Sequence, residues 1–175
     1  MNLWHEFHSI FDTNDGSLPE IDIAALSPAS LADMWSYLRY AATAYVGDAW
    51  FWHTATHQQI PLDSVPNAAQ LVVTGEADVF HTVLRGMTFF DTIIPDLGVF
   101  VFQDTISLDY RMGSDWNAAA VTALFELLRH LHHLDRNATI TLSKTFFSAD
   151  WRRRFTTAFA TYVNEAEHHD SEPGT

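Results

Sequence analysis

The sequence predicts an α+β fold, a mostly antiparallel sheet of about five strands with helices packed on one face. Three observations carry this reading. Apolar residues recur at helical spacing after Ser27 and again in the last third of the chain, each time behind a capping residue. The middle of the chain instead alternates, or runs in short apolar blocks. Residues 98–102 and 106–111 form the best hairpin candidate, joined by Gln103, Asp104 and Thr105.

The elements follow in order. Trp4, Phe7, His8 and Phe11 fall at helical spacing, so residues 4–11 read as a short helix. Residues 12–17 are a turn cluster. Over 18–23, Ile21 and Ile23 alternate with Glu20 and Asp22, a strand that Pro19 places at an edge or entry. Ser27 caps a helix whose first position is Pro28. Its stripe is Leu31, Met34, Trp35, Leu38, Ala42 and Tyr45, and Gly47 is expected to end it. Residues 50–62 are ambiguous, but Trp50, Trp52, Thr54 and Thr56 favour a strand closed by Pro61. Residues 71–73 and 79–84 read as two strands around the turn 74–76. After the hairpin, Ser114 and Asp115 open a helix that turns Val121, Leu124, Phe125, Leu128 and Leu131 inward. Residues 138–142 are a short strand. Ser148, Ala149 and Asp150 open the last helix, with Trp151, Phe155, Ala158, Phe159 and Tyr162 as its stripe. Residues 168–175 are expected to be a frayed polar tail.

With 175 residues, no linker and no internal repeat, the chain reads as a single domain, 1–175. Hydrophobic residues at 47% provide for a core. No apolar run reaches membrane-spanning length, and the first residues lack the basic segment of a signal peptide, so a cytoplasmic protein is expected. The absence of cysteine excludes disulfides and thiolate metal sites.

Charge is the most informative property. The chain holds 22 acids against 9 Lys and Arg, a formal charge of −13. Residues 1–100 carry 12 of those acids and two bases, Arg39 and Arg85. Such a field repels nucleic acid and anionic membrane and speeds encounter with a basic protein. It also serves plain solubility.

No motif of known chemistry is present. There is no Gly-x-Ser-x-Gly elbow and no glycine-rich phosphate loop. Residues 12–16 resemble the start of a calcium loop, but the glycine comes one residue early and the twelfth position is Ile23, so an Asx-type turn is the reading. His53 and His57 sit on a segment read as extended, too far apart there to share an ion. His130 and His133 lie one turn apart on a helix with Asp135 near, the alternative metal site; a solvated helix end is the other account, and no metal or cofactor is expected. Asp109 and Arg111 project from one face of the hairpin strand, as a surface ion pair or as a polar site. The basic run Arg152, Arg153 and Arg154 is expected to answer acids of the first hundred residues, with a phosphate-binding patch as the alternative.

Trp50, Phe51 and Trp52 cannot all face one core if they form a strand, so the segment is either covered on both faces or exposes an aromatic patch beside acids, the composition of binding hot spots. The partner-binding candidates are therefore Asp12, Asp15, Glu20, Asp48, Trp50, Trp52, Glu76 and Asp78. A basic protein partner is the expectation, with a small acid–base or metal-assisted enzyme, or a homo-oligomeric subunit, as the alternatives.

Residues 11–21, and 95–100 running on to 108–113, resemble segments of small bacterial immunity-type proteins that neutralise toxins of neighbouring cells. The resemblance implies a class, an acidic inhibitor that plugs a toxin's active site, and carries no functional residue across.

Overall fold

The computed structural model describes residues 2–171. The chain opens with α1 (Leu3–Phe7), capped by Asn2, and one 3-10 turn (His8–Ile10). β1 (Glu20–Ala24) buries Ile21 and Ile23 and turns Glu20 and Asp22 the other way. α2 (Pro28–Ala41) starts as the sequence predicts, with the Ser27 side chain accepting from Ser30 N. It stops earlier than expected. Ala42 is already extended, and Tyr45 lies on the short strand β2 (Ala44–Tyr45). Gly47, with φ +78°, serves the turn that follows rather than the helix end.

Residues 50–62 are not one strand. They fold on themselves as β3 (Trp50–His53) and β4 (Gln58–Pro61), with His53 paired to Gln58. The turn contains His57 at φ +52°, and His53 Nδ1 is taken by Thr56. Residues 71–73 are helical. α3 (Ala68–Thr74) is capped by Asn67 and closed by Gly75 in the left-handed region. Asn67 also donates to Ala32 O of α2, and Ala68, Ala69 and Val72 are buried. Tertiary packing thus overrides the strand preference of paired valines.

β5 (Phe80–Arg85) follows, and then a miniature hairpin, β6 (Thr88–Phe89) and β7 (Thr92–Ile93), that the sequence does not announce. β8 (Leu97–Val101) and β9 (Thr105–Tyr110) make the predicted hairpin. α4 (Ala118–Leu134) is capped by Asn117, three residues after the expected Ser114. β10 (Thr139–Leu142) and α5 (Ala149–Ser171) complete the fold. α5 continues through 168–171; the rest of the expected tail, 172–175, lies outside the described residues.

The main sheet has the order β10-β1-β9-β8-β5-β2, antiparallel throughout. One face carries Ile21, Ile23, Phe80, Leu84, Leu97, Val99, Ile106, Leu108, Tyr110, Ile140 and Leu142, all buried. These join one hydrophobic cluster with Phe7 of α1, Val121, Leu124 and Phe125 of α4 and Phe155 of α5. Each such side chain contributes roughly 1.5–3 kcal/mol by leaving water. The Tyr110 hydroxyl, inside this layer, donates to Ile10 O at 3.0 Å and so ties the N-terminal helix to the sheet. No helix of the described residues is long and apolar enough to cross a membrane.

Candidate functional site

Because side chains alternate along a strand, the helix-covered face leaves a second set pointing away: Glu20 and Asp22 on β1, Ser107 and Asp109 on β9, Gly98 and Phe100 on β8, His81 and Val83 on β5. Their register brings Glu20 opposite Asp109, and Asp22 opposite Ser107. Ser107 Oγ donates to Asp22 Oδ1 at 2.7 Å. Asp109 is only 7% exposed. It leans over Gly98, where a methyl group would stand 2.0 Å from its Oδ2, and accepts a hydrogen bond from His81 Nε2 at 2.7 Å. The His81 ring is 4.1 Å from that of Phe100. Burial, followed by the charges of Asp22 and Asp109, raises the Glu20 pKa above the usual carboxylate value, against the opposing pull of Ser143 and His81.

His81 also lines a cavity of about 600 Å³ with Asp48, Trp50, Phe51, Trp52, Asp78, Val79 and Phe80. This hollow lies where β3 approaches the start of β5. Asp78 N donates to Trp52 O at 2.9 Å and Thr54 N to Glu76 O at 3.0 Å, which fixes β3 against the chain leading into β5. With its backbone held, β3 alternates: Phe51 is 1% exposed in the core, while Trp50 and Trp52 are 40% and 38% exposed on the opposite side. Among the described residues the carboxylates of Asp48 and Asp78 have no ion pair or hydrogen bond. Val79, two residues before His81, and Phe102, two residues after Phe100, add exposed apolar surface at the same end of the β5–β8 pair. The aromatic cavity and the acidic sheet face thus meet at His81.

The structure therefore gathers four of the expected partner-binding residues, Asp48, Trp50, Trp52 and Asp78, in one hollow. Glu76 is close by, two residues before Asp78, and takes a hydrogen bond from the Thr74 hydroxyl. Glu20 belongs to the adjoining sheet face. Asp12 and Asp15 lie elsewhere, in the turn after the 3-10 helix. Asp12 stands 3.4 Å from His8, and Asp15 Oδ1 accepts from the Ser17 amide and hydroxyl, an Asx turn that holds the Asp15 pKa below its ordinary value.

Asp109 and Arg111 do not act together. Asp109 is engaged by His81, whereas Arg111 lies beyond the end of β9 and lines another cavity, of about 620 Å³, with the ion pair Arg85–Asp96. His130 and His133 are also apart. His130 Nε2 is 3.1 Å from Glu126 and its ring stacks on Tyr37, while His133 is 3.5 Å from Glu167. Among the described residues no three histidines or carboxylates converge as metal ligands. Of the arginine run, Arg154 reaches Glu6 at 3.7 Å as expected, and Arg153 pairs with Asp150 of its own helix.

His81 is the residue that sequence reading missed. Its partner is 28 residues away, and the one local signal was a glycine inside an otherwise apolar strand, a mark of close approach from a neighbour. Chemically, the site offers carboxylates, an imidazole oriented by one of them, and exposed indoles. Compared with protein-family models, curated proteins and solved structures, the chain finds no match.

Proposed function

We propose that this chain is a protein-binding module that occludes a basic partner, in the manner of an immunity-type inhibitor acting on a toxin. The observation that carries the reading is the hollow at β3 and β5, where two exposed tryptophans stand beside two carboxylates that have no partner among the described residues. Exposed aromatic residues at the centre of a patch are the usual anchors of protein recognition. Unpaired acids around them supply steering and selectivity for positive charge. The adjoining face with Glu20 and Asp22 enlarges the acidic surface, and the net charge of −13 acts in the same direction. A toxin that cuts nucleic acid presents a basic cleft, the complement of such a surface.

The test is affinity capture from the chain's own cells at low salt, followed by kinetics on the purified partner. Wild type is expected to retain one basic protein in near equal amount and to release it with salt. The double reversal D48K/D78K is expected to slow association at least about tenfold and to flatten its salt dependence. Equal association rates and equal salt slopes for wild type and reversed variant would overturn the reading.

A further inference from the structure

We propose that the hollow between β3 and β5 receives an arginine side chain of the protein partner, its guanidinium stacked on Trp50 or Trp52 and paired with Asp48 and Asp78. The inference rests on the binding-module reading and names the chemistry of the anchor.

Four observations converge on a guanidinium. First, Trp50 and Trp52 expose their indoles on the same side of β3, and an indole face attracts a cation more strongly than other aromatic rings do. Second, Asp48 and Asp78 line the same hollow with no partner among the described residues. No Lys or Arg lines it, and its one basic group, His81, is turned to Asp109. Third, Phe51, Phe80 and Val79 also line the hollow, an apolar wall suited to the methylene stem of a long cationic side chain.

Fourth, the chain seats two of its own arginines in this way. The Arg39 guanidinium lies 4.5 Å from the centre of the Tyr45 ring and donates to Asp63 at 3.2 and 3.3 Å. Asp63 and Tyr45 border a second hollow that shares Asp48 and Trp50 with the first, so the self-filled arrangement and the open one are neighbours. Arg154 likewise lies 4.4 Å over the Trp151 ring with Glu6 at 3.7 Å. At Trp50 and Trp52 the ring and the acids are in place, and among the described residues no Lys or Arg fills the position. Arginine suits it better than lysine, because a planar guanidinium stacks and bonds to carboxylates in the same pose, whereas an ammonium is a compact, strongly hydrated point charge.

The experiment is heteronuclear NMR of the isotopically labelled full chain, following the indole N–H signals of Trp50 and Trp52. These are assigned with W50F and W52F, and dispersed amide signals confirm that each variant folds. The probes are blocked glycine–X–glycine tripeptides at low salt, with X arginine, lysine or citrulline, the last being the neutral near-isostere of arginine. The arginine peptide is expected to shift both indoles saturably with a Kd of roughly millimolar order, and citrulline to bind at least about tenfold more weakly. D48N/D78N, at exposed positions, is expected to remove about tenfold of the arginine affinity while leaving the amide spectrum elsewhere unchanged. Equal binding of citrulline would reduce the hollow to an apolar docking site, and equal binding of lysine would make it a slot for any cation. Either result overturns the proposal, as would arginine shifts spread over the acidic surface that spare the two indoles. Failure here beside a D48K/D78K effect on the partner leaves the binding module standing with a different anchor. Arginine binding here beside a partner indifferent to that reversal would sink the module reading alone.

Discussion

Asp109 and His81 stand on strands that are not neighbours, and they meet because the strand between them has a glycine at the crossing. The Asp109 carboxylate lies across Gly98 of β8 to reach His81 Nε2 on β5 at 2.7 Å. A methyl group on Gly98 would come within 2.0 Å of Oδ2 and 2.4 Å of Cγ. Asp109 has little room to yield, being 7% exposed and flanked by Glu20 on the paired strand.

Gly98→Ala should therefore expel Asp109 from its position and cost about 1–3 kcal/mol, as overpacking does. Chemical denaturation measures the loss. The cause is checked by a double-mutant cycle: in a D109A background the same alanine should cost less, by about 1 kcal/mol or more, because the clashing atoms are gone. An equal cost in both backgrounds would place the effect in the backbone of β8.

The long elements of the fold were legible because their signals are local. Ser27 and Pro28 announce α2, and the 3.6-residue stripes of α4 and α5 are unbroken. What escaped depends on contacts distant in sequence or on turns without their usual residues. α3 is helical because Ala69 and Val72 bury themselves and Asn67 reaches α2, which its own valines do not reveal. The β6–β7 turn places Phe90 and Asp91 at φ +50° and +57°, where Asn-Gly is the usual signal. His57 hides the β3–β4 turn for the same reason. The site divides likewise: the exposure of Trp50 and Trp52 follows from strand alternation, while the His81–Asp109 contact depends on sheet order.

Glu20 gives the sheet face a pH signature. Its carboxyl pKa is raised in the folded chain by burial and by the charges of Asp22 and Asp109. The folded state then binds more protons than the unfolded one between the ordinary carboxylate pKa and the raised value, so stability falls as pH rises through that window. Glu20→Gln removes the penalty. The variant should match wild type below about pH 4 and exceed it at neutral pH by a few tenths of a kcal/mol, the modest size set by solvent screening of a partly exposed group. Paired denaturation curves across this range read the difference, and a variant less stable than wild type at pH 7 would show that Glu20 is held by favourable contacts instead.

Glu126 should behave in the opposite sense. Burial alone would raise its pKa, but the hydrogen bonds and charge of Arg129, the Tyr162 hydroxyl at 3.1 Å and nearby His130 outweigh that and bring it below the ordinary value. A depressed carboxylate contributes stability above its unfolded pKa, lost as pH falls through the folded one. Glu126→Ala should cost about 3 kcal/mol at pH 7, since it leaves the Arg129 side chain, 13% exposed, without this acceptor. Glu126→Gln should lose less, and its deficit should shrink as pH falls from the ordinary carboxylate value, where the unfolded chain takes up its proton, through the lowered value of the folded state. A deficit independent of pH would mean that packing, not charge, is what Glu126 supplies.

The alternation of β3 allows stability and binding to be separated within three consecutive residues. Phe51 lies in the core at 1% exposure, and Phe51→Ala should cost about 3–5 kcal/mol, the loss of a buried ring plus the cavity it leaves. Trp50 and Trp52, at 40% and 38% exposure, have much of their surface already in water. Their backbone is held independently, by the pairing of β3 with β4 and by the Asp78 amide on Trp52 O. Trp50→Ser and Trp52→Ser should each cost about 1 kcal/mol or less in denaturation, the range of surface changes with partial burial. The same two variants should nonetheless weaken attachment of the basic partner by about tenfold or more each, as loss of an aromatic anchor does. Measured side by side, a stability loss at Trp50 or Trp52 comparable to that at Phe51 would identify the tryptophans as part of the core, and their exposed faces would then no longer argue for recognition.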